Sequence, residues 1–270
     1  MTRRIAVLLC AGYGTRMGSL TAETPKPLLP VAGKPILDYL LEQLLGLEEL
    51  DAVHLVTNRR YLARFCSWAG PWRRRLDRRE LEIHDDGSTT NADRRGAVGD
   101  LALVLERAGL PDAALVAAGD NVLRFSLRPF WRAFLDTGEN RVLALHEPSA
   151  ERLRRTGVLE LGADDRVLRL HEKPEEPPSN WACPPFYCLA RSALDRVRGY
   201  LAAGPPDEIG RFIADLARHE TVRALRIAGE RLDVGSPESY RRADAILRRR
   251  EVVIPCPHPV APQARSGEIK

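Results

Sequence analysis

The sequence contains few cysteines and no long hydrophobic run. Its 270 residues include 5 cysteines, an odd and sparse set that is unlike the dense, even framework of a small secreted domain. We therefore expect reduced thiols and a cytoplasmic protein. No stretch approaches the ~20 consecutive apolar residues that a membrane-spanning helix requires, so no membrane partner is expected.

The sequence also lacks a large excess of one charge, and it lacks two pairs of cysteine or histidine at the spacing of a zinc site. The chain has 41 basic and 37 acidic residues, a formal net charge of +4. The charges are interspersed, which predicts no nucleic-acid partner, and the small basic excess suits anionic small molecules. Neither Cys183 with Cys188 nor Cys256 with His258 has a second ligand pair at zinc-site spacing, so these cysteines are expected to be ordinary thiols.

The pattern along the chain predicts an α/β fold. Residues 5–10 form an apolar run that ends in glycines, which is typical of a central parallel strand covered on both faces. Strand and helix patterns then alternate to residue 146, with one helix opened by Pro35, and indicate a mostly parallel sheet with helices on both faces. Between residues 156 and 189, short strand patterns predict a smaller sheet. Residues 255–270 predict a loose tail.

The first strand leads into a glycine-containing turn that suits phosphate binding, because small residues let backbone N–H groups approach an anion. Residues 12–18 miss the G-x-G-x-x-G spacing of dinucleotide sites by one residue, and no Walker A lysine is present. Arg16 and Lys26 instead lie in one loop framed by prolines. Such a loop offers two cations to a triphosphate.

Residues 11–17 and 25–35 resemble the signature of the sugar-phosphate nucleotidylyltransferase family, in particular its glucose-1-phosphate thymidylyltransferase-like members. That signature runs Gly-Gly-x-Gly-Thr-Arg, then Pro-Lys-Pro-Leu-x-Pro-Val and Lys-Pro. The chain departs from it at Ala11, where many members have glycine. Three more stretches match in the expected order, at residues 118–121, 172–174 and 233–240. The matches span the chain from Ile5 to Tyr240.

The resemblance implies an architecture as well as a set of ligands. The expected fold is a doubly wound sheet, Rossmann-like and GT-A-like, with a smaller sugar-binding sheet. Residues 1–254 would form one catalytic domain, with a nucleotide half at about residues 1–125 and a sugar-phosphate half at about residues 126–254. The implied partners are a nucleoside triphosphate and a sugar-1-phosphate, and the implied cofactor is Mg²⁺. The absence of a hexapeptide repeat disfavours the two-domain acetylglucosamine and ADP-glucose types.

The resemblance also assigns roles to individual residues. Arg16 and Lys26 carry over as catalytic cations on the triphosphate, and Asp120 and Asp233 as the ligands of Mg²⁺. Each aspartate follows an apolar segment and precedes a turn, where a carboxylate can reach the crevice outside the sheet, although a turn or cap residue is the alternative for each. The nucleotide-binding residues carried over are Ala11, Gly12, Gly14, Thr15, Asn91 and Gly96. The sugar-phosphate-binding residues are Asn121, Gly157, Glu172 and Lys173.

Two departures leave the specificity open. Asn91 stands where thymidylyltransferase-like members have glutamine, and it offers the same amide donor and acceptor on a shorter stem, although a polar loop residue without contact to the base is the alternative. Thr89 and Thr90 are within reach of the same base. Pro184 and Pro185 stand where relatives carry a glycine against the sugar ring. The nucleotide, the sugar or sugar-like cyclitol, and homo-oligomerisation therefore stay open.

The motifs supply cations, carboxylates and glycines but no Ser-His or Cys-His pair. This suits Mg-dependent in-line attack on the α-phosphorus by the phosphate oxygen of a sugar-1-phosphate, which is already an anion and needs no general base. The expected products are a nucleotide sugar and pyrophosphate. One alternative is a non-catalytic regulatory or binding relative. Another is a nucleotide-sugar-dependent glycosyltransferase, which would be expected to carry Asp-x-Asp where this chain has Gly119-Asp120-Asn121.

Overall fold

The computed structural model describes residues 2–76 and 79–249. The helices in this part of the chain are α1 (Ile36–Leu45), α2 (Leu62–Arg75), α3 (Ala97–Ala108), α4 (Arg128–Thr137), α5 (Ala150–Leu153), α6 (Arg191–Leu201), α7 (Ile209–His219) and α8 (Pro237–Arg248). The strands are β1 (Arg4–Leu9), β2 (Pro30–Val31), β3 (Lys34–Pro35), β4 (Ala52–Thr57), β5 (Glu80–Asp85), β6 (Ala113–Ala118), β7 (Asn121–Leu123), β8 (Asn140–His146), β9 (Gly157–Leu161), β10 (Val167–Glu172), β11 (Trp181–Cys183), β12 (Phe186–Ala190), β13 (Val222–Ile227) and β14 (Arg231–Asp233). The predicted tail at residues 255–270 lies outside the described residues.

Ten of the strands form one sheet, in the order β10-β9-β11-β8-β12-β6-β1-β4-β5, with β13 paired to β8. Strand β1 is parallel to β4 and β6, and Leu8 lies opposite Leu55 and Ala117. Strand β5 continues this parallel block beyond β4. The carboxyl ends of the block share one edge, which is where ligands bind in open α/β sheets. The predicted α/β class is confirmed.

The strands expected between residues 156 and 189 are present, but they extend the large sheet instead of building one of their own. Strand β12 lies between β6 and β8, antiparallel to both, while β11, β9 and β10 continue outward from β8. The pattern of short strands does not reveal which edge they join. An open β6 edge would leave backbone N–H and C=O groups without partners, and β12 satisfies them. The small sheets are the ladders β7-β14 and β2-β3.

Hydrophobic layers cover both faces of the sheet. Along β1, Ala6 and Leu8 face a core that includes α1, α2 and α4, whereas Ile5 and Val7 face a core that includes α3, α6 and α7. This alternation follows from the two-residue period of a strand. Each aliphatic side chain of leucine size that is fully buried stabilises the fold by roughly 1.5–3 kcal/mol. Among the described residues, no helix is both long and apolar enough to cross a membrane.

A third, smaller core lies beside the carboxyl edge of the parallel strands. It joins the loop after β1 to β7, β14 and α8 through Met17, Val31, Val122, Val234 and Ala243. Helix α8 starts at a capping box, in which the Ser236 and Ser239 side chains bond each other's backbone N–H; such a cap satisfies two otherwise unpaired donors. This core fixes β14 next to the first loop, so residues distant in sequence meet at one edge.

Candidate active site

A buried asparagine supports the loop that follows β1. The Nδ2 of Asn58, which is inaccessible to solvent, donates to the carbonyl of Ala11 at 2.8 Å. The backbone N–H of Cys10 donates to the carbonyl of Val56 at 2.9 Å, which extends the β1–β4 pairing by one residue. The loop therefore leaves the sheet at a fixed point. Residues Thr15–Thr21 form 3₁₀ turns that are divided by a kink at Gly18, where φ is 58°.

The two predicted cations of this loop have different surroundings. Lys26 is only 9% exposed, and its Nζ donates to Oδ2 of Asp120 at 2.6 Å. Arg16 is exposed and lines the cleft at this edge, and its guanidinium has no hydrogen bond or ion pair to another described residue. Lys26 is thus positioned by a carboxylate, whereas Arg16 is available to an anion.

Asp120 lies at a tight turn after β6. A side chain on the preceding Gly119 would begin 2.3 Å from the Sγ of Cys10, so only glycine lets the turn pass so close to the first loop. The Asp120 carboxylate accepts from Lys26 and, at 2.7 Å, from Nδ2 of Asn121. Burial raises the pKa of Asp120, but the charges of Lys26 and Arg231 and the lysine hydrogen bond outweigh burial and hold the pKa below its ordinary value. Asp120 is therefore ionised at neutral pH.

Asp233 reaches the same edge on the ladder β7-β14. Its backbone lies directly opposite Asn121, one residue from Asp120. The Oδ2 of Asp233 is 2.8 Å from the point where a side chain on Gly235 would begin, and Gly235 lines the cleft. Residues directly opposite in an antiparallel ladder have Cβ atoms about 5 Å apart. The ladder therefore brings two aspartates that are 113 residues apart in sequence to neighbouring positions (233 − 120).

The cleft at this edge has a volume of about 240 Å³. It brings together six of the residues predicted from the sequence, namely Gly12, Gly14, Thr15, Arg16, Lys26 and Asp120. Ala11 is buried beside them. The other predicted residues lie outside its lining: Asn121 and Asp233 on the ladder β7-β14, and the rest in the loop before α3 and around β9 and β10.

The loop before α3 is ordered by its own side chains. The Asp93 carboxylate accepts hydrogen bonds from the backbone N–H and hydroxyl groups of Thr89 and Thr90, and Asn91 between them is exposed. Gly96 has a structural reason to be glycine: its φ is 78°, and a side chain would begin 2.5 Å from the carbonyl oxygen of Pro206. Its place in the fold is thus explained without a nucleotide.

The predicted sugar-phosphate residues lie on paired strands. Gly157 of β9 is opposite Glu172 of β10, and burial raises the pKa of Glu172. The Lys173 ammonium pairs with Glu208 and lies 3.7 Å from Glu172. Glu208 also accepts from Nε of Arg211 at 2.7 Å. Lys173 is therefore held by acidic side chains at the start of α7.

Comparisons with known proteins bear on this arrangement. The family model described as nucleotidyl transferase matches residues 5–250. The chain belongs to this family. This confirms the family and the enzyme class predicted from the motifs.

Two of the three relatives described next have glucose-1-phosphate in their names. A UTP–glucose-1-phosphate uridylyltransferase of Haloferax volcanii is 27% identical over 256 residues, covering 90% of this chain and 96% of that protein. A bifunctional protein GlmU of Methanocaldococcus jannaschii is 26% identical, but the chain covers 54% of its length. A glucose-1-phosphate thymidylyltransferase of Actinoplanes is 30% identical over 71% of this chain, which spans 60% of that protein.

The fold of this nucleotidyl transferase also matches solved structures. A UDP-glucose pyrophosphorylase in complex with UDP-glucose aligns with a TM-score of 0.77 at 19% identity, covering 93% of this chain and 100% of that one. The same enzyme class without ligand aligns with a TM-score of 0.76. At this identity the likeness shows the fold.

The structure adds polar residues that sequence reasoning missed. Nη1 of Arg231 donates to Oδ1 of Asn121 at 2.9 Å. Burial raises the pKa of Cys183 and of Tyr187, and the Arg231 cation partly offsets the rise. A single arginine two residues before the Asp233 motif gives no signal in the sequence.

A second missed group lies beside the glycine loop. The Tyr13 hydroxyl is 3.1 Å from Oγ of Ser88, and Ser88 donates to Asp86 at 2.8 Å. Behind them, Asp100 is 5% exposed, and burial with the nearby Asp86 charge raises its pKa to about 8. These residues tie the end of β5 to the first loop. These residues are spread between positions 13 and 100, so no local sequence pattern predicts that they are in contact.

Proposed function

We propose that this nucleotidyl transferase is a sugar-1-phosphate nucleotidylyltransferase, which converts a nucleoside triphosphate and a sugar-1-phosphate into a nucleotide sugar and pyrophosphate. The observation that carries the proposal is that Arg16, Lys26 and Asp120 line one cleft at the edge of the parallel strands, with Asp233 on the adjacent ladder opposite Asn121, the residue that follows Asp120. Cations for a triphosphate and carboxylates for a cation are needed at the same point by this reaction. The names of the relatives agree with it.

In the proposed site, the nucleotide lies over the loop after β1. Backbone N–H groups of residues 11–15 approach the phosphates, and Arg16 binds the triphosphate because its guanidinium has no described protein partner. Lys26 adds a second charge from its fixed position beside Asp120. We assign the base to the segment around Asn91, which is exposed and is joined to Arg94 through the Asn91 carbonyl.

The donor set beside this loop fits Mg²⁺. Asp120 is ionised, and Asp233 lies across the ladder from Asn121, the residue that follows Asp120, so the site offers carboxylate oxygens. Mg²⁺ prefers oxygen and usually takes one or two protein carboxylates together with phosphate oxygens and water. When bound, the cation would supply neutralisation of phosphate charge and alignment of the two substrates.

The sugar-1-phosphate is proposed to lie against β9, β10 and β7. Glu172 and Asn121 are candidates for its hydroxyl groups and the backbone of Gly157 for its ring. Lys173 is proposed to bind its phosphate, which requires the ammonium to exchange its contact with Glu208 for the substrate. Arg231 adds a cation beside Asn121 and suits an anionic or strongly hydrogen-bonding substrate group.

The reaction follows from charge and position. A sugar-1-phosphate oxygen attacks the α-phosphorus, one P–O bond forms, and the opposite P–O bond breaks to release pyrophosphate with the electron pair. Lys173 holds the attacking phosphate, and Arg16 and Lys26 stabilise the charge that builds on the triphosphate. No protein group has to take a proton, because the nucleophile is an anion.

The test is a matrix of nucleoside triphosphates against sugar-1-phosphates, with pyrophosphate release and product mass as readouts. At least one pair should give turnover that needs added Mg²⁺. Asp233→Asn should abolish most of that turnover, while Asp195→Asn, on the exposed face of α6, should keep it. A folded protein that releases no pyrophosphate from any pair, or an active Asp233→Asn variant, contradicts the proposal.

A further inference from the structure

Three metal-binding side chains converge on the parallel strands β4 and β5, outside the cleft. His54 of β4 is in register with Glu82 of β5, and His84 lies two residues further along β5 on the same face. Nδ1 of His54 is 3.0 Å from Nε2 of His84 and 3.2 Å from Oε2 of Glu82. Nε2 of His84 is 3.7 Å from the same oxygen. No other group of three such side chains converges in this way among residues 2–76 and 79–249.

These distances match the spacing of ligands around a single metal ion. Zn²⁺ bonds of about 2.0–2.1 Å in tetrahedral geometry put neighbouring ligand atoms about 3.3 Å apart. The three observed distances, 3.0, 3.2 and 3.7 Å, have a mean of 3.3 Å. Small rotations of the side chains would therefore bring all three atoms into bonding distance of one ion, without moving the strands.

The position of the trio allows an ion to enter. The imidazoles of His54 and His84 are 1% and 2% exposed, whereas the side chain of Glu82 is 48% exposed. Strand β5 is the last strand of the sheet, so the carboxylate faces solvent at an edge. A site with three protein ligands and one side toward water has room for a water molecule as the fourth ligand.

We propose that His54, Glu82 and His84 form a binding site for a divalent transition-metal ion of the Zn²⁺ type. Two imidazole nitrogens and one carboxylate suit Zn²⁺, whereas Mg²⁺ prefers oxygen. The positive charges of Arg3, near His54, and Arg107, near His84, disfavour a metal cation at this site. The negative charge of Glu82 offsets them. The site is separate from the two aspartates assigned to Mg²⁺.

A bound ion would join the edge strand β5 to β4. The residues that follow β5 include Ser88, which contacts Tyr13 of the loop after β1 and donates to Asp86, so the ion would restrain the strand that leads into this contact. Without metal, the hydrogen bond between the two histidines keeps the imidazoles together. The site is therefore already formed before the ion binds.

The experiment uses the full chain, stripped of metal by chelator, in a Cys66→Ser and Cys256→Ser background. The Cys66 thiol is exposed and Cys256 lies outside the described residues, and a thiolate is itself a metal ligand. Zn²⁺ is titrated by calorimetry and Co²⁺ by its visible absorption, in the absence of nucleotide. One ion per chain should bind, with a tetrahedral cobalt spectrum that lacks thiolate bands. Glu82→Gln and His84→Gln should each weaken binding at least about 10-fold, since each removes a ligand.

Two control variants and one thermal measurement complete the experiment. His219→Gln, an exposed histidine of α7, and Asp233→Asn should bind like the parent protein. Zn²⁺ should raise the melting temperature of the parent but not of Glu82→Gln, which keeps the shape of a half-exposed side chain and is the deciding variant if His84→Gln does not fold. Equal affinity in the parent and Glu82→Gln, or loss of the ion in Asp233→Asn, overturns the proposal.

Discussion

The two lysines of the site differ from Arg16 in one respect, because each is engaged by a carboxylate. Lys26 pairs with Asp120 and Lys173 pairs with Glu208, while Arg16 has no such partner among the described residues. A residue without a protein partner contributes little to folding, so its removal should affect binding and catalysis alone. In this respect Arg16 differs from Lys26 of the same loop, which has a carboxylate partner.

We expect Arg16→Ala to lower kcat by about 100-fold or more, the scale of losing one preorganised contact to the transition state, with an unchanged melting temperature. Steady-state pyrophosphate release and thermal unfolding measure the two effects. Arg218→Ala, an exposed arginine of α7, is the matched control. Near-normal turnover of a folded Arg16→Ala enzyme would remove Arg16 from the site.

Lys173 and Glu208 give a paired prediction at the sugar-phosphate side. Lys173→Ala should raise the KM for sugar-1-phosphate and leave nucleotide affinity nearly unchanged, because Lys173 lies on the sugar-side strands. Glu208→Gln should lower the same KM, since it removes the anion that competes with the substrate for the ammonium. Steady-state kinetics measure both KM values, and calorimetric titration measures the affinity for each substrate. Equal losses for nucleotide and sugar-phosphate in Lys173→Ala would disprove the division.

At the scale of elements, the ladder β7-β14 decides the geometry of the carboxylates. It has three residues in each strand, yet it places Asp233 opposite Asn121 and next to Asp120. The third hydrophobic core, with Val122 and Leu232 inside it, supports the ladder. A change at one aspartate should therefore be felt at the other.

Replacing either aspartate by asparagine keeps the shape and removes one charge. Asp120→Asn and Asp233→Asn should each lose activity and need more Mg²⁺. The double variant should fall by much less than the product of the two separate losses, because both act on one ion. Mg²⁺ titrations of the four proteins in this cycle measure the coupling. Independent, multiplicative losses would show that the aspartates do not share a cation.

The long elements could be predicted from sequence, and the short ones could not. The longer elements show a clear periodic pattern of apolar residues, as in α1, α2, α3, β1, β4 and β6. Strands β7 and β14 have only three residues each, too few to show such a pattern. The positions of Asp120 and Asp233 in their motifs were identified, but their meeting depends on this ladder. Arg231 has no motif and was missed.

One assigned residue and one missed contact show the same limit. Gly96 was assigned to the nucleotide from its spacing to Asn91, but the structure also gives it a packing reason, the close approach of Pro206. Asp86 and Ser88 meet Tyr13 only because β5 lies next to β4 and β1 carries the first loop. Sequence spacing identifies residues that belong to one motif. Contacts between residues of different motifs depend on tertiary packing, which the spacing does not show.

At the scale of the whole molecule, the buried Asp100 links stability to pH. Its pKa is raised from 3.8 to about 8, by burial first and then by the Asp86 charge. The unfolded chain releases this proton near pH 3.8, whereas the folded chain keeps it up to about pH 8. This contribution is therefore fully present below pH 3.8 and is lost as the pH rises toward 8.

Asp100→Asn removes the ionisable group and keeps the size of the side chain. We expect this variant to unfold at a higher temperature than the parent at pH 8.5, with a gain of a few kcal/mol in the free energy of unfolding, and to match the parent near pH 4. Thermal and urea unfolding across pH 4–9 measure the difference. A parallel offset at every pH would show that Asp100 is not the group responsible.

The antiparallel strand β12 has a consequence for how the protein is made. One edge of β6 is completed only by β12, and the pair Ala117 and Phe186 is 69 residues apart (186 − 117). At a synthesis rate of about 5–20 residues per second, that interval lasts roughly 3–14 s. During this interval, the hydrophobic strand β6 has one edge whose backbone N–H and C=O groups are unpaired, and such edges can pair with other chains. The growing chain should therefore depend on chaperones during translation, and a fragment that ends near residue 125 should aggregate although it contains the whole nucleotide loop.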